Sequence, residues 1–465
     1  MIQRQSLHSD EAPDAAGAMT QAIAAAVAGT WSGLLERGSQ CHRLQMDIVQ
    51  DGRVRLLNPE RDKQPLSGSF IAVGHHVEVH FPTLPAEFTG TLPNPDRIDG
   101  IWRQGGFNFP MVFSRGTVAL SSPITINPLT QQRLAESRVQ AGLPALATAS
   151  ARRGGPTRVW VDGERAMGSG IAAQSNDRWH LGSISKSMTA LLVARLVDLG
   201  AMAWGDTVGD ALQATVPNLH EVYRPATLRH LLSHRAGLRT NIGAEHLSLF
   251  SQDVDHACAE RKIYAREALS MAPHGQLGAT FKYSNCGYIL AAAILEAKLG
   301  QSWESLMRMH VFEPLKLATA GFGPPGHEDA VDQPIGHTHE DNATKQNAHP
   351  VAVGLVDIPA VFGPAGRIHM SLPDLMRYLI AHRDRSDFLS KSAWATLHTP
   401  PFGGDYALGW FVRSNGAFWH SGSNDLWYVE ALFDPAAGIA SAAVTNAGSM
   451  SPAVGRTLLE AAAAA

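Results

Sequence analysis

The spacing of the apolar residues changes along this chain of 465 residues. Within residues 44–48 and 77–81 apolar and polar side chains alternate, which is the period of a half-buried β-strand. After about residue 125 the apolar residues recur mainly every three or four positions, as they do on a helix. This change predicts an all-β unit followed by a second unit that is rich in helices.

The first part of the chain predicts a small β domain. Residues 1–27 show no strong pattern, and we expect them to form a poorly ordered lead. Between Gly29 and Arg115 the alternating runs are short and are separated by Gly, Pro, Asn and Asp, so we predict an antiparallel barrel-like domain over residues 28–117. Such a domain either holds a ligand inside the barrel or is an accessory domain with a packed interior, and we favour the packed interior.

The second part predicts a mixed fold. A linker of residues 121–128, rich in Ser and Pro, precedes a helical segment at 130–140. Strand-like segments at 157–161 and 428–433 lie on either side of a long helical middle. We therefore predict an α+β fold, α/β in the broad sense, over residues 125–460, in which the two ends form an antiparallel sheet flanked by helices and the middle forms an all-helical insert.

Charge and hydropathy exclude two kinds of partner. The chain has 38 Lys and Arg against 42 Asp and Glu, a formal net charge of -4, and no run of basic residues, so we do not expect it to bind nucleic acid. The longest apolar run, residues 287–295, is far shorter than the roughly 20 residues that cross a bilayer. We therefore expect no membrane-spanning helix.

The cysteines and the N-terminus indicate the compartment. Cys41, Cys258 and Cys286 lie at unrelated spacings without a CxxC pair, which predicts neither a disulfide framework nor a cysteine zinc site. The first residues lack the basic start and apolar stretch of a secretory signal. We expect a cytoplasmic protein, or a periplasmic one if a native leader has been removed.

The strongest chemical signal is Ser183-Ile184-Ser185-Lys186, which opens an amphipathic stretch of helical spacing. Positions three apart share one face of a helix, so Lys186 can reach the hydroxyl of Ser183. A serine hydroxyl is a weak nucleophile, and a lysine whose pKa is lowered by burial can take its proton. The structural alternative is a helix N-cap followed by a solvated lysine.

Two further segments carry suitable groups. Tyr283 and Asn285 place a phenol and a carboxamide two residues apart, where a loop enters the apolar run that follows. His420 and Gly422 precede a strand-like run, and a glycine beside a polar side chain suits a strand edge that a substrate backbone approaches closely.

The order of these segments is that of a known superfamily. The three motifs are Ser183-x-x-Lys186, Tyr283-x-Asn285 and His420-x-Gly422. They resemble the motifs of the penicillin-recognising serine hydrolases, a superfamily that holds class C β-lactamases, DD-peptidases, D-aminopeptidases and related bacterial esterases. The resemblance implies a β-lactamase-like fold for the second unit.

Supporting segments extend the resemblance. LLSHRAGL at 231–238 resembles the LLSHTSGL segment of the superfamily, and PAGR at 364–367 resembles its PAGGL segment. Together with the motifs these segments cover about residues 125–455. Segments near the two ends of the predicted barrel, at 29–31 and 100–106, resemble the lipocalin-like barrels that accompany some bacterial serine hydrolases.

The resemblance implies a role for each residue of the motifs. Ser183 would be the acylated nucleophile, and Lys186 would assist its deprotonation. Tyr283, hydrogen-bonded to Lys186, would move protons between the nucleophile and the leaving group. Asn285 would hold Lys186 and the substrate amide in place. The oxyanion would lie between the backbone N–H groups of Ser183 and Ser423.

The third motif departs from the commonest form of the superfamily. His420 replaces the lysine of the KTG motif found in most β-lactamases and DD-peptidases, while Gly422 keeps its glycine. A lysine suits a substrate carboxylate, whereas a histidine changes charge near neutrality, so we expect His420 to titrate between about pH 5 and 8. HxG forms occur in the D-aminopeptidase and esterase branches.

Metal chemistry is not expected. His337-Thr338-His339-Glu340 invites comparison with a metal site, but no HExxH or similarly spaced set is present, and a solvated loop is the simpler interpretation. We therefore expect no metal and no organic cofactor.

The expected function is that of a serine hydrolase working through an acyl-enzyme on an ester or amide of a small molecule or short peptide, which could contain D-amino acids. A β-lactamase or DD-carboxypeptidase, an acyltransferase using the same acyl-enzyme, and a sensor that binds without turnover remain alternatives. The sequence does not define the acyl group, the leaving group, the stereochemistry or the oligomeric state. Loops including residues 241–255 and 321–348 are expected to form the pocket walls.

Overall fold

A computed structural model gives the structure of most of the chain. The described residues are 27–37, 40–59, 64–73, 75–82, 86–104, 107–116, 126–339, 350–448 and 451–465. The predicted N-terminal lead lies outside them except for Val27, and so does the Ser121-Ser122-Pro123 part of the predicted linker.

The chain divides into two compact units, Met1–Thr125 and Ile126–Ala465. The predicted domain limits, 28–117 and 125–460, stay predictions because residues 117–125 lie outside the described part.

The first unit is a closed antiparallel barrel of eight strands. In chain order they are β1 (Gly29–Arg37), β2 (Gln40–Ile48), β3 (Arg53–Leu57), β4 (Leu66–Val73), β5 (His76–Phe81), β6 (Ala86–Asn94), β7 (Arg97–Gln104) and β8 (Phe107–Arg115). Each strand pairs with the next, and β1 also pairs with β8, which closes the barrel. The predicted all-β barrel is confirmed.

Several large side chains of this barrel are buried. Alternate residues of β5 are buried, as the sequence pattern predicts. Trp31, Phe88, Trp102 and Phe113 are at most 1% exposed, and the Phe88 and Phe113 rings meet edge to face at 5.1 Å.

The second unit is built on an antiparallel sheet of six strands. They are β9 (Ala145–Arg152), β10 (Arg158–Gly163), β16 (Phe411–Val412), β17 (Phe418–Ser423), β18 (Tyr428–Asp434) and β19 (Ile439–Thr445). Their order across the sheet is β10-β9-β19-β18-β17-β16, so the beginning and the end of the unit pair with each other. The predicted α+β fold is confirmed.

Both faces of this sheet are covered, which explains its small apolar side chains. Ala147 and Ala149 of β9 face the main core, whereas Leu146 faces a smaller core that includes the C-terminal helix Pro452–Ala464. The strands of a sheet that is buried on both faces have nearly continuous apolar sequences, and apolar and polar residues do not simply alternate in them.

The remaining elements are mainly helical. The α-helices that precede strand β16 in the chain are Gln131–Gln140, Ile184–Asp198, Val208–Leu212, Leu228–Leu232, Ala244–Leu247, Ala257–Ser270, Asn285–Leu299, Trp303–Met307, Gly363–Gly366, Leu372–Asp384 and Lys391–Leu397. Short 3-10 helices occupy Glu221–Tyr223, Val254–His256 and Ala360–Phe362, and Arg308–Phe312 is a π-helix. None of the described helices is both long and apolar enough to span a bilayer.

Two minor sheets complete the unit. Strands β11 (Arg178–His180), β15 (Ile368–Ser371) and β12 (Gly321–Phe322) form one of them, and β13 (His337–His339) pairs with β14 (Pro350–Ala352) in the other. Strand β11 leads directly into the helix Ile184–Asp198, which places Ser183 at the junction.

The helix Ile184–Asp198 is buried almost all round, so it does not have the exposed face that the expected amphipathic pattern implies. Its polar side chains find partners inside the protein: Ser187 Oγ donates to the Ile184 carbonyl at 2.7 Å, and Thr189 Oγ1 donates to the Pro364 carbonyl at 2.8 Å. Satisfied hydroxyls allow a partly polar helix to lie inside the core.

Candidate active site

Ser183 lies at the N-terminus of the buried helix Ile184–Asp198. Its backbone is helical, and its side chain makes no capping bond to the helix, so the hydroxyl is free for another partner. The residue is 8% exposed. The first amides of a helix have no acceptor within the helix, and they give this end a partial positive charge.

Lys186 holds the Ser183 hydroxyl. Lys186 Nζ donates to Ser183 Oγ at 2.9 Å and to the Ala365 carbonyl at 2.6 Å. The side chain is completely buried, and burial holds the pKa of Lys186 well below its usual value. A lysine with a lowered pKa spends more time as the neutral amine, which can accept the serine proton through the same contact.

Tyr283 lies against this pair but in a different geometry from the expected one. Lys186 Nζ is 4.9 Å from the centroid of the Tyr283 ring, and the Tyr283 hydroxyl is buried without a hydrogen-bond partner among the described residues. The expected hydrogen bond from Lys186 to Tyr283 is therefore absent. Burial raises the pKa of Tyr283, and the nearby Ser183 hydroxyl lowers it by less. The phenol keeps its proton in this state.

Asn285 is placed by the start of the helix Asn285–Leu299. Ser284 caps that helix by accepting from the Gly287 N–H. Asn285 Nδ2 donates to Asn241 Oδ1 at 2.8 Å, so its amide group is oriented by the loop that begins at residue 241 and not by Lys186. Sequence reasoning placed Asn241 only in a pocket wall, because a loop asparagine carries no local signal of such a contact.

His420 is buried on β17, and its ring has two partners. Nδ1 lies 2.5 Å from the Ser421 carbonyl, and Nε2 lies 3.3 Å from the Tyr406 hydroxyl. A carbonyl only accepts, so Nδ1 carries the ring proton and Nε2 accepts from Tyr406. Burial is the main cause that lowers the pKa of His420 to about 3, and Lys186 adds to this effect only in its protonated form. The expectation that His420 titrates between pH 5 and 8 is therefore wrong.

The backbone amides of Ser183 and Ser423 lie on segments in close contact. Gly182 has φ +46°, and a methyl group added to it would lie 2.3 Å from the Ser423 nitrogen. A methyl group on Gly422 would lie 2.7 Å from the Ser183 nitrogen and 2.1 Å from the Leu181 carbonyl oxygen. Only glycines allow the turn and the strand to approach this closely.

Strand β17 is open beside these amides. The short strand β16 pairs only with Phe418 and Trp419, so within the described chain the Gly422–Ser423 end of β17 has no neighbouring strand on that side. The predicted approach of a substrate to this edge therefore stays sterically reasonable.

An aromatic cluster supports the site from behind. The ring of His234 lies 4.4 Å from that of Tyr283 and 4.7 Å from that of Tyr406, and His234 Nδ1 accepts from the Ser284 N–H at 3.0 Å. His234 adopts φ +61°, a conformation that is uncommon for a residue with a side chain. It belongs to the segment 231–238 singled out in the sequence, but the pattern did not predict its contacts.

The expectation of a solvated loop at residues 337–340 is wrong for His337, which lies on the short strand β13. His337 is buried, its Nδ1 lies 2.8 Å from the Asn446 carbonyl, and its Nε2 accepts from the Met167 N–H at 3.0 Å. Glu340 lies outside the described residues. Among the residues that the structure describes, no group of three or more His, Cys, Asp or Glu is arranged to hold a metal ion.

Comparison with known families bears on the second unit. A sequence model of the Beta-lactamase family matches residues 129–465. Penicillin-binding protein 4 of Amycolatopsis lactamdurans is 28% identical over 246 residues, which are 50% of this chain and 59% of that protein. Two penicillin-binding protein relatives from Bacillus subtilis are covered over 30% and 53% of their lengths, so the chain spans between 30% and 59% of the lengths of these three curated relatives.

Solved structures share the fold. EstCE1, described as a hydrolase with promiscuous acyltransferase activity, superposes with a TM-score of 0.60 at 18% identity, over 72% of this chain and 97% of that one. A D-stereospecific amidohydrolase from a Streptomyces species gives a TM-score of 0.55 at 24% identity, over 70% of this chain and 96% of that one. At these identities the likeness shows the fold alone.

Proposed function

Because the chain belongs to the β-lactamase family, we propose that it is a serine hydrolase that forms an acyl-enzyme on Ser183 and cleaves an ester or amide that carries no carboxylate. The substrate is a small molecule or a short peptide. The observation that carries this proposal is the 2.9 Å contact between Ser183 Oγ and a completely buried Lys186 with a lowered pKa.

The arrangement supports a two-step mechanism. Neutral Lys186 accepts the proton of Ser183 as Ser183 Oγ bonds to the substrate carbonyl carbon, and the N–H groups of Ser183 and Ser423 stabilise the oxyanion. As the bond to the leaving group breaks, the Tyr283 hydroxyl gives its proton to that group and is reprotonated from Lys186. Water then attacks the acyl carbon by the reverse route: its proton passes by way of Tyr283 to Lys186, Lys186 returns a proton to Ser183 Oγ, and the acid leaves.

The charge of the site favours substrates without a carboxylate. A lysine at position 420 would offer a permanent positive charge, whereas His420 is neutral above about pH 3 and its ring nitrogens are occupied by Ser421 and Tyr406. This weighs against penicillins and against peptides with a free C-terminus, although penicillin-binding proteins are among the relatives. A D-aminoacyl amide has no carboxylate and is therefore compatible with a neutral His420, and one structural neighbour is described as a D-stereospecific amidohydrolase.

A substrate panel tests this proposal. We expect turnover of a neutral p-nitrophenyl ester or of a D- or L-aminoacyl anilide, little turnover of a cephalosporin at pH 7, and none with Ser183→Ala. Added alcohol or amine shows by its product whether the acyl group passes to acceptors other than water. Faster turnover of the cephalosporin than of every neutral substrate would favour the β-lactamase alternative, and binding without turnover would favour a sensor.

A further inference from the structure

A buried polar cluster lies behind the turn that carries Ser183, and its side chains are not among the proposed catalytic or substrate-binding residues. At its centre Asp357, with a side chain that is completely buried, forms an ion pair with Arg367 Nε at 3.0 Å. Asp357 Oδ2 also accepts from His180 Nε2 at 3.1 Å, and Oδ1 accepts from Asn424 Nδ2 at 2.8 Å. The Ile358 N–H donates to Oδ1 as well, at 2.8 Å.

One arm of this cluster reaches the nucleophile turn. His180 Nδ1 accepts from the Gly182 N–H at 3.2 Å, so the ring proton is on Nε2 and is donated to Asp357. Gly182 directly precedes Ser183. Asp357 therefore orients His180, and His180 holds the peptide group next to the Ser183 amide.

The other arm reaches the strand. Asn424 directly follows Ser423, and with its Nδ2 bound to Asp357 its Oδ1 accepts from the N–H groups of Leu426 and Trp427 at 3.2 and 3.1 Å. The Trp427 ring also stacks on His180, with centroids 5.4 Å apart. A single carboxylate thus contacts groups adjacent to both amides of the proposed oxyanion site.

We propose that Asp357 is a positioning residue that sets the separation and direction of the Ser183 and Ser423 amides. This inference rests on the proposed function, because it assigns those amides to an oxyanion. A buried ion pair contributes little net stability, since removing both charges from water costs about as much as their attraction returns. Its directional bonds explain its presence better, because a displacement of about 1 Å at a reacting centre can cost about a hundredfold in rate.

The chain offers a matched control. Arg261 is equally buried and binds both Glu296 and Glu304, but these groups join only helices and lie outside the proposed catalytic residues. Glu304→Gln removes one buried carboxylate from an arginine, although Arg261 keeps its pairing with Glu296, and it does so without acting on the two amides.

The test compares an ester with its thionoester, in which sulfur replaces the carbonyl oxygen that the amides would bind. For p-nitrophenyl butyrate and its thiono analogue we measure kcat and KM with the parent, Asp357→Asn, Asn424→Ala and Glu304→Gln. We expect Asp357→Asn to lower kcat on the ester by about 100-fold with little change in KM. We also expect the ratio of kcat on the ester to kcat on the thionoester to fall by about tenfold. Glu304→Gln should keep the parent ratio.

Asn424→Ala cuts only the strand arm and leaves Asp357 paired with Arg367, so it provides the test if Asp357→Asn does not fold. It should lower the ratio in the same direction by a smaller factor. A parent ratio retained in every folded variant of Asp357 or Asn424 would overturn the inference. A parent that forms no acyl-enzyme with either substrate would instead overturn the proposed function.

Discussion

Lys186 lies in a buried pocket that stabilises a charged ammonium poorly. Its side chain is completely buried, and the groups that accept from it are one hydroxyl and one carbonyl, those of Ser183 and Ala365. The aromatic rings of Tyr283 and Tyr288, at 4.9 and 5.8 Å, add some stabilisation of the cation but do not replace a carboxylate. The pocket thus lowers the pKa of Lys186 and raises the fraction of the neutral amine, the form that the proposed mechanism requires.

Lys186 and Tyr283 should act as one unit, because both serve the same proton transfer. Lys186→Ala and Tyr283→Phe should each lower kcat by about a thousandfold, and the double variant should lose little more than the worse single variant. Steady-state kinetics on one ester measures kcat for all three variants. Losses that multiply would show that the two groups act independently.

His420 should not sense pH in the active range. Its pKa is lowered from the usual 6.5 to about 3, so the ring is neutral both at pH 5 and at pH 8. We compare kcat/KM for a carboxylate-bearing ester with kcat/KM for a neutral ester. Titration of His420 should change the ratio of these two values by less than about twofold between pH 5 and pH 8. His420→Lys should raise that ratio. A ratio in the parent that rises steeply below pH 6.5, and that becomes flat in His420→Gln, would contradict the burial argument.

At the scale of elements, the site depends on contact between the β11-to-helix turn and strand β17. A methyl group on Gly422 would overlap the Leu181 carbonyl oxygen, so Gly422→Ala must push the strand from the turn and separate the two amides. We expect kcat to fall by about 100-fold or more.

Gly205→Ala provides the control for that substitution, because a methyl group there meets no atom within 4 Å and needs no unusual φ. It should keep the parent activity. Equal activity in Gly422→Ala and Gly205→Ala would show that the contact between turn and strand is not needed.

Local elements were predictable where a local pattern encodes them. The helix expected at 130–140 is Gln131–Gln140 with Thr130 as its N-cap, and the strand expected at 428–433 is Tyr428–Asp434. Hydrophobic spacing and capping residues act over a few positions, so a single sequence shows them. Ser183 at the start of a helix followed from the same reasoning.

Long-range contacts were not predictable in this way. Asp357 is 177 residues from His180 and 67 from Asn424, and no spacing rule joins them. The charge of His420 depends on burial among elements that the sequence places far apart, which is why its expected titration was wrong. The orientation of Tyr283 relative to Lys186 depends in the same way on tertiary packing.

At the scale of the whole molecule, buried histidines should make the second unit sensitive to acid. Five histidines that are buried in the described part of the chain have pKa values lowered mainly by burial: His234, His369, His382, His398 and His420. Below pH 6.5 these histidines bind protons in the unfolded chain but stay neutral in the folded protein, so the free energy of unfolding falls as the pH falls. For His369, His398 and His420, whose pKa values are lowered to about 4, 3 and 3, the cost is about 1.4 kcal/mol per pH unit below 6.5, or about 2 kcal/mol each at pH 5.

The summed effect approaches the roughly 5–15 kcal/mol by which a domain is stable. We expect the urea midpoint of unfolding to fall sharply between pH 7 and pH 5. His398→Phe, within its cluster of aromatic rings, should reduce this dependence, whereas the exposed His256→Gln should not. A midpoint that is the same at pH 7 and pH 5 would contradict the assignment of neutral buried histidines.

The central claim is that Ser183 is the acylated nucleophile and that Lys186 activates it. The most direct test treats the protein with a fluorophosphonate and maps the adduct by fragmentation within the peptide that holds residues 181–186, since Ser185 lies in the same peptide. We predict one adduct, on Ser183 Oγ, that is absent in Ser183→Ala and forms at least about a thousandfold more slowly in Lys186→Ala. An adduct on another serine, or parent-like turnover by Ser183→Ala, would contradict the account.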